Sequence, residues 1–102
     1  MSKAAASRQI LEGALNRLTR LKPEMEQSHQ RVTRAYKEQN AIGNKDAHHK
    51  VLEEHGTVIG KHGRVQIETM EQLASWLRMK IEQLRRIEEQ EKELERKLRS
   101  RQ

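Results

Sequence analysis

The stretch from Met70 to Leu98 constrains the fold most strongly, because its apolar residues recur with the seven-residue period of a long amphipathic helix. With Met70 at heptad position a, seven of the ten a and d positions are apolar. Position a holds Met70, Leu77, Leu84, Glu91 and Leu98, and position d holds Leu73, Lys80, Ile87, Leu94 and Arg101. Pairs such as Glu88/Lys92, with the acid four residues before the base, support the same helix. The sequence therefore predicts one helix over residues 69–98.

The apolar stripe of this helix is wide in its first half and narrow in its second. Ala74, Trp76 and Ile81 widen the first half, which is typical of packing in a bundle, whereas only a coiled-coil seam continues past Ile87. A helix of about 30 residues spans roughly 45 Å, and a compact domain of this length is only about 33 Å across. We expect the far end to meet a partner and not simply to fray, the partner being a second copy or another helical protein. The predicted interface residues are Met70, Leu73, Leu77, Leu84, Ile87, Leu94 and Leu98.

Composition indicates one small all-α domain, covering residues 1–102, with a thin core. Hydrophobic residues make up 33% of the chain and charged residues 35%, with one Trp, one Tyr and no Phe. Intrinsic disorder is the competing interpretation, but the apolar residues are periodic, which favours folded helices. The lack of Cys excludes disulfides and thiolate chemistry and fits a reducing compartment. No apolar run approaches the roughly 18 residues of a membrane span, so we expect an intracellular, cytoplasmic protein.

Two shorter helices are predicted at the N-terminal end. The first covers residues 7–21, and its apolar face consists of Ile10, Leu11, Ala14, Leu15, Leu18 and Leu21. Pro23 either kinks one long helix or begins a second, and we predict a second helix over 23–42 that Gly43-Asn44 terminates. So short a connection predicts an antiparallel helical hairpin, packed on the long C-terminal helix. The basic first 22 residues also resemble a mitochondrial transit peptide.

The region between these helices and the long one is the most ambiguous. Asp46 could cap a weak third helix over 46–55, and a glycine-rich segment follows over 56–67. This segment fits a small β-hairpin, a nucleic-acid-binding loop, or a continuous helix in which Gly56 and Gly60 admit a close neighbour. Because each glycine costs about 1 kcal/mol relative to alanine inside a helix, we predict a break.

A short motif in the glycine-rich segment resembles the GXXG loop of KH domains: Ile59-Gly60-Lys61-His62-Gly63-Arg64. In that family the loop joins two short helices on a three-stranded sheet and clamps the backbone of single-stranded nucleic acid. No convincing strands precede the motif here, and a long helix follows it. The resemblance, together with the net charge of +6, implies nucleic-acid binding as an alternative function. The candidate contacts are Lys61, His62, Arg64, Arg78, Arg85 and Arg86.

No pattern of residues indicates catalysis or a bound cofactor. His48, His55 and His62 recur every seven residues, which on a helix separates them by roughly 10.5 Å, too far to share a zinc ion bound at about 2.0–2.1 Å. We therefore expect surface histidines, with a pH-sensitive patch as the functional alternative. The sequence predicts no catalytic, cofactor or metal residues. It favours a non-enzymatic coiled-coil interaction module, such as an adaptor, scaffold or assembly factor, that acts through the helical seam.

Overall fold

The computed structural model consists of two long α-helices that run antiparallel and contact each other. It describes residues 2–42 and 47–101, with side chains for residues 2–39 and 50–101. Helix α1 spans Lys3–Ile42 and helix α2 spans Ala47–Ser100. No strand occurs in these described ranges. The predicted all-α, hairpin-like fold is confirmed, but the hairpin forms between α1 and α2, and not between two short helices packed on a third.

Pro23 lies inside α1, so the prediction of separate helices over 7–21 and 23–42 is wrong. A proline in a helix interior removes one backbone hydrogen bond and costs about 3 kcal/mol. Contacts with α2 offset this cost, because Lys22 and Met25 on either side of the proline are half-buried while Pro23 itself is exposed. The proposed terminator Gly43-Asn44 and the proposed cap Asp46 lie outside the described residues.

Helix α2 is continuous through the glycine-rich segment, so the predicted break at 56–67, the weak helix limited to 46–55 and the helix start at residue 69 are all wrong. Tertiary contact explains the difference. A methyl group at Gly56 would come within 3.2 Å of Tyr36 Cβ, and one at Gly63 would overlap the ring of His29. The continuous-helix alternative is the one observed, with close approach at Gly56 and Gly63, whereas Gly60 faces open space.

Contacts divide the chain into two compact units, each containing a segment of both helices. Unit 1 comprises Met1–Thr19 with Gln72–Gln102, and unit 2 comprises Arg20–Glu71. In unit 1 the described core is small, with Ala4, Leu77 and Ile81 as its buried apolar residues. Half-buried residues extend this seam: Leu11, Leu15, Leu18, Ala74 and Leu84. In unit 2 the facing residues are half-buried: Met25, His29, Tyr36, Leu52, Ile59, Ile67 and Met70.

The seam of α2 in unit 1 uses heptad positions a and e. Ala74 and Ile81, both at e, face α1 together with Leu77 and Leu84 at a. The d residues were predicted to share this seam, and instead Leu73 and Ile87 are exposed. Helix α2 therefore carries more apolar surface than α1 covers.

Candidate protein-interaction surface

A network of ion pairs lies along unit 1 and fixes the register of its two helix segments. The Arg8 guanidinium donates two hydrogen bonds to the Glu88 carboxylate, with Nη2 lying 3.0 Å from Oε1. Arg8 also donates to Glu12 at 3.0 Å, and Arg85 Nη2 donates to the same Glu12 carboxylate at 3.1 Å. Two-point binding of a carboxylate by a guanidinium specifies geometry as well as adding energy. Residue 8 of α1 is thereby held level with residue 88 of α2.

The ion pairs shift the pKa values of the residues that form them. Hydrogen bonds from Arg8 hold the pKa of the Glu12 and Glu88 carboxyls below the ordinary value of 4.5. The same bonds raise the pKa of Arg8 above its usual range. All three groups are therefore fully charged at neutral pH.

One side of the unit 1 seam is charged. Leu15 of α1 and Ile81 of α2 line a shallow groove there, and the other lining residues are polar: Glu12, Asn16, Arg78, Glu82 and Arg85. We call this side the charged side. Its arginines and glutamates are close enough to one another for partial neutralisation, as the Glu12–Arg85 pair illustrates.

The opposite side of the unit 1 seam is apolar. A residue two positions away in an α-helix projects about 200° around the axis, so Ile10 and Ala14 turn away from the side that Glu12 occupies. By the same geometry Ile87 turns away from the side of Arg85. Because Arg8 is level with Glu88 and Glu12 with Arg85, Ile10 is level with Ile87. Both helix segments therefore present apolar residues on this one side.

We call this side the apolar face. Its members are Ile10, Ala14, Leu73, Trp76, Lys80, Ile87, Glu91, Leu94 and Leu98. The large side chains are open to solvent, with exposures of 68% for Ile10, 47% for Trp76 and 43% for Ile87. Lys80 Nζ lies 5.8 Å from the centroid of the Trp76 ring, a cation–π contact on the face itself. Exposed apolar patches of this kind mark interaction sites more often than scattered surface residues do.

The C-terminal end of the apolar face has no neighbour from α1 in the described structure. Helix α1 begins at Lys3, five residues before Arg8, so α2 passes the start of α1 near residue 93. Leu94 and Leu98 follow, one helical turn apart, with 59% and 55% of their surfaces exposed. This overhang extends the apolar face along α2.

The seven predicted interface residues divide between two environments. Leu77 is buried, and Met70 and Leu84 are half-buried, so these three contribute to contacts within the chain. The other four are exposed on the apolar face: Leu73, Ile87, Leu94 and Leu98. Sequence reasoning missed Ile10, which was expected to point inward. The sequence did contain a signal for exposed apolar residues, because the apolar stripe is wider than one partner helix can cover.

The six residues predicted to contact nucleic acid do not form a loop. Lys61, His62 and Arg64 are exposed within one turn of α2 in unit 2, so the loop that the resemblance to KH domains implied is not formed. In unit 1, Arg85 is bound to Glu12, Arg86 lies 3.7 Å from Glu82, and Arg78 lines the groove on the charged side.

The histidines are the remaining residues that the sequence singled out. His55 and His62 are exposed, and the side chains of His48 and His49 lie outside the described residues. The described part of the chain holds no group of three or more histidine, cysteine or acidic residues placed to bind a metal ion.

None of the described helical segments combines the length and apolarity needed to cross a membrane. Comparisons of the chain with protein-family models, curated proteins and solved structures found no match.

Proposed function

We propose that the chain is a non-enzymatic helical interaction module, an adaptor, scaffold or assembly factor, that binds a helical segment of a protein through the apolar face of unit 1. The observation that carries this proposal is the contrast between the two sides of one seam. The charged side satisfies its own charges with ion pairs across the seam, such as Glu12–Arg85. The apolar face leaves Ile10, Trp76 and Ile87 in water.

Spacing favours a helix as the ligand. Leu73, Trp76, Lys80, Ile87 and Leu94 follow one another at intervals of three, four or seven residues, which is the arrangement that interlocks with the side chains of a second helix. Fully burying a Leu, Ile or Phe side chain stabilises a complex by roughly 1.5–3 kcal/mol. Several half-exposed side chains on one face therefore provide a substantial driving force for association.

The thin core supports the same proposal. Three apolar side chains are buried in the described structure, all of them in unit 1. Two helices alone bury only one stripe each, and the chain reaches a fuller core only by adding a further helix. Binding and stability are then coupled, because a ligand that binds the folded state alone stabilises that state.

Site-specific photo-crosslinking in the protein's native cells tests the proposal. The photo-reactive residue p-benzoylphenylalanine replaces Ile87 on the apolar face or, as the matched control, Glu89, which projects about 200° away on the same helix and is exposed. We expect residue 87, and not residue 89, to crosslink to a helical segment of an identified protein. Equal yields at the two positions, or crosslinks to lipid or nucleic acid alone, would overturn the proposal.

Nucleic-acid binding is the alternative function. It is supported by the net charge of +6 and by the exposed side chains of Lys61, His62 and Arg64 in unit 2. The single Trp and single Tyr offer few stacking surfaces for single-stranded bases. The apolar face would have no role in such binding, and so we rank this alternative second.

A further inference from the structure

Lys80 and Glu91 are the charged residues on the apolar face, and neither has an oppositely charged neighbour on its own helix. Ion pairs within a helix join residues three or four positions apart. At those positions Lys80 has Trp76, Leu77, Gln83 and Leu84, and Glu91 has Ile87, Glu88, Leu94 and Glu95. Neither side chain takes part in an ion pair with any residue that the structure describes. About 16 Å of helix separates Lys80 from Glu91, so the two cannot pair within one copy.

The heptad positions of these two residues suit a pairing between copies. Lys80 is at position d and Glu91 is at position a. In an antiparallel pair of helices, a residue at d packs level with a residue at a of the other helix. A two-fold axis that places Lys80 of one copy level with Glu91 of a second copy also places Glu91 of the first level with Lys80 of the second. The same charge pair is therefore formed twice.

This register brings apolar residues together in the other layers of the interface. Position a lies between e, which faces α1, and d, which lies on the apolar face, so half-buried residues at a, such as Leu84 and Glu91, remain accessible from that face. The remaining layers place Leu73 level with Leu98, Leu77 with Leu94, and Leu84 with Ile87. At the flanking position g, Trp76 comes within one helical turn of Lys97, and Gln83 within one turn of Gln90. The layers between Leu73 and Leu98 therefore bring no like charges together.

Charge selects the antiparallel orientation over the parallel one. In a parallel pair of α2 helices each residue faces its own equivalent, so Lys80 would meet Lys80 and Glu91 would meet Glu91. Like charges brought together across an interface oppose association. Of the two orientations, the antiparallel one turns the charges of the apolar face into attractive pairs.

The antiparallel arrangement also covers the part of α2 that extends past the start of α1. Leu94 and Leu98 of this overhang approach the segment from residue 73 to residue 77 of the second copy. The exposed side chains of that segment are Leu73 and Trp76. Each copy thus supplies the apolar neighbours that the overhang of the other copy lacks.

The size of the contact is sufficient for a dimer of moderate affinity. Leu73 to Leu98 extends over about 38 Å of helix, and one third of the surface of a helix of that length and about 12 Å across is roughly 500 Å². Two copies then bury about 1,000 Å² through α2 alone, the lower limit for a biological interface. Ile10 of α1 adds to this area, because it is level with Ile87 and hence with Leu84 of the second copy.

We propose that the ligand of the apolar face is a second copy of the chain, bound antiparallel about a two-fold axis so that Lys80 of each copy pairs with Glu91 of the other. The inference rests on the proposed function and specifies its partner. The crosslink from residue 87 should then join the chain to a second copy near Leu84.

Charge reversal in the full chain tests the pairing. Sedimentation equilibrium should show a micromolar dimer of the unmodified chain. Lys80→Glu and Glu91→Lys each place like charges level with one another, so each should weaken the dimer at least tenfold. The double variant Lys80→Glu/Glu91→Lys should restore the affinity to within about threefold, because it re-forms both pairs with their signs exchanged. The matched controls Arg78→Glu and Glu89→Lys reverse exposed charges about 200° around the helix and should leave the dimer unchanged.

Disulfide trapping tests the orientation, because the chain has no cysteine and a single introduced thiol has no competitor. When Lys80→Cys and Glu91→Cys chains are mixed and oxidised, the antiparallel register places the two thiols level with one another, as a disulfide requires. One native pair of Lys80 with Glu91 stays intact in this mixed dimer. We expect the mixed disulfide to exceed the disulfides between identical variants at least tenfold.

Four results would overturn the antiparallel dimer. Disulfides formed mainly between identical variants would indicate a parallel pair, and a dimer that neither single charge reversal weakens would indicate a contact through another surface. A chain that stays monomeric at millimolar concentration while residue 87 crosslinks to a different protein would exclude this partner and support the wider proposed function. A monomeric chain without a crosslink specific to residue 87 would overturn both proposals.

Discussion

The imidazole ring of His29 occupies the space in which any residue other than glycine at position 63 would place its side chain. Seven residues further along α1, Tyr36 packs over Gly56 in the same way. The two contacts repeat with the heptad period in both helices, antiparallel to one another. Glycine at these positions is therefore part of a seam, where it lets α1 and α2 approach closely within unit 2.

Alanine substitutions should separate the packing role of glycine from its cost to the helix. Gly63→Ala gains up to about 1 kcal/mol of helix propensity, but it displaces the His29 ring, and overpacking costs about 1–3 kcal/mol. We expect a net loss of stability of about 1 kcal/mol. Gly60→Ala, which meets nothing within 4 Å, should gain about 1 kcal/mol. Urea unfolding followed by circular dichroism measures both changes.

The critical result is whether Gly63→Ala is less stable than Gly60→Ala. If Gly63→Ala were stabilised as much as Gly60→Ala, His29 would not pack over Gly63 as described. The double variant His29→Ala/Gly63→Ala provides a control, because removing the ring should restore the propensity gain at position 63 and reveal coupling between the two residues.

Acid should weaken unit 1 through its ion pairs. Because Arg8 lowers the pKa of Glu88 in the folded state below the ordinary value of 4.5, the unfolded chain binds more protons between these two pKa values. The stabilising contribution is therefore complete above pH 4.5 and is lost as the pH falls through the folded pKa. Glu88→Gln should flatten the pH dependence of urea-induced unfolding in this acid range. Glu89→Gln, one residue further on and exposed, is the control and should leave the profile unchanged.

The nucleic-acid alternative predicts a specific salt dependence. If Lys61 and Arg64 contact phosphates, the log–log slope of affinity against salt for a single-stranded oligonucleotide contains about −0.7 per contact. Lys61→Glu/Arg64→Glu should then make the slope less steep by about 1.4. Because stacking residues are few, we expect only weak binding that is lost at moderate salt. Tight binding that persists at moderate salt and falls in the double variant would favour the alternative over a protein ligand.

Sequence periodicity was sufficient to predict an all-α chain and a long amphipathic helix containing Leu77 and Leu84. It failed at Pro23, Gly56 and Gly63, because helix propensity is a local property and each of these residues is compensated by contacts with residues distant in sequence. The heptad also predicted one seam where α2 has two apolar sides. Ile81 and Ile87 lie on different sides, and only the position of α1 decides which of them is covered.

Variants at Leu77 and Ile87 should distinguish the covered side from the exposed one. Leu77 is buried in the seam of unit 1, so Leu77→Ala should destabilise the chain by about 2–5 kcal/mol through lost burial and a residual cavity. With so few buried side chains in the described structure, a loss of this size should abolish cooperative unfolding at room temperature. The measurement is urea-induced unfolding followed by circular dichroism at 25 °C.

Ile87→Glu should behave in the opposite way. Ile87 is exposed on the apolar face, so a carboxylate there remains hydrated and should change the stability of the isolated chain by no more than about 0.5 kcal/mol. In the complex the same carboxylate would be buried and unpaired, at a cost of several kcal/mol, and crosslinking to the partner should be lost. Leu84→Glu is the informative third variant, because Leu84 is half-buried against α1 and should lose both folding stability and binding. If Ile87→Glu unfolded as readily as Leu84→Glu, Ile87 would stabilise the hairpin itself. The proposal that the apolar face binds a ligand would then be wrong.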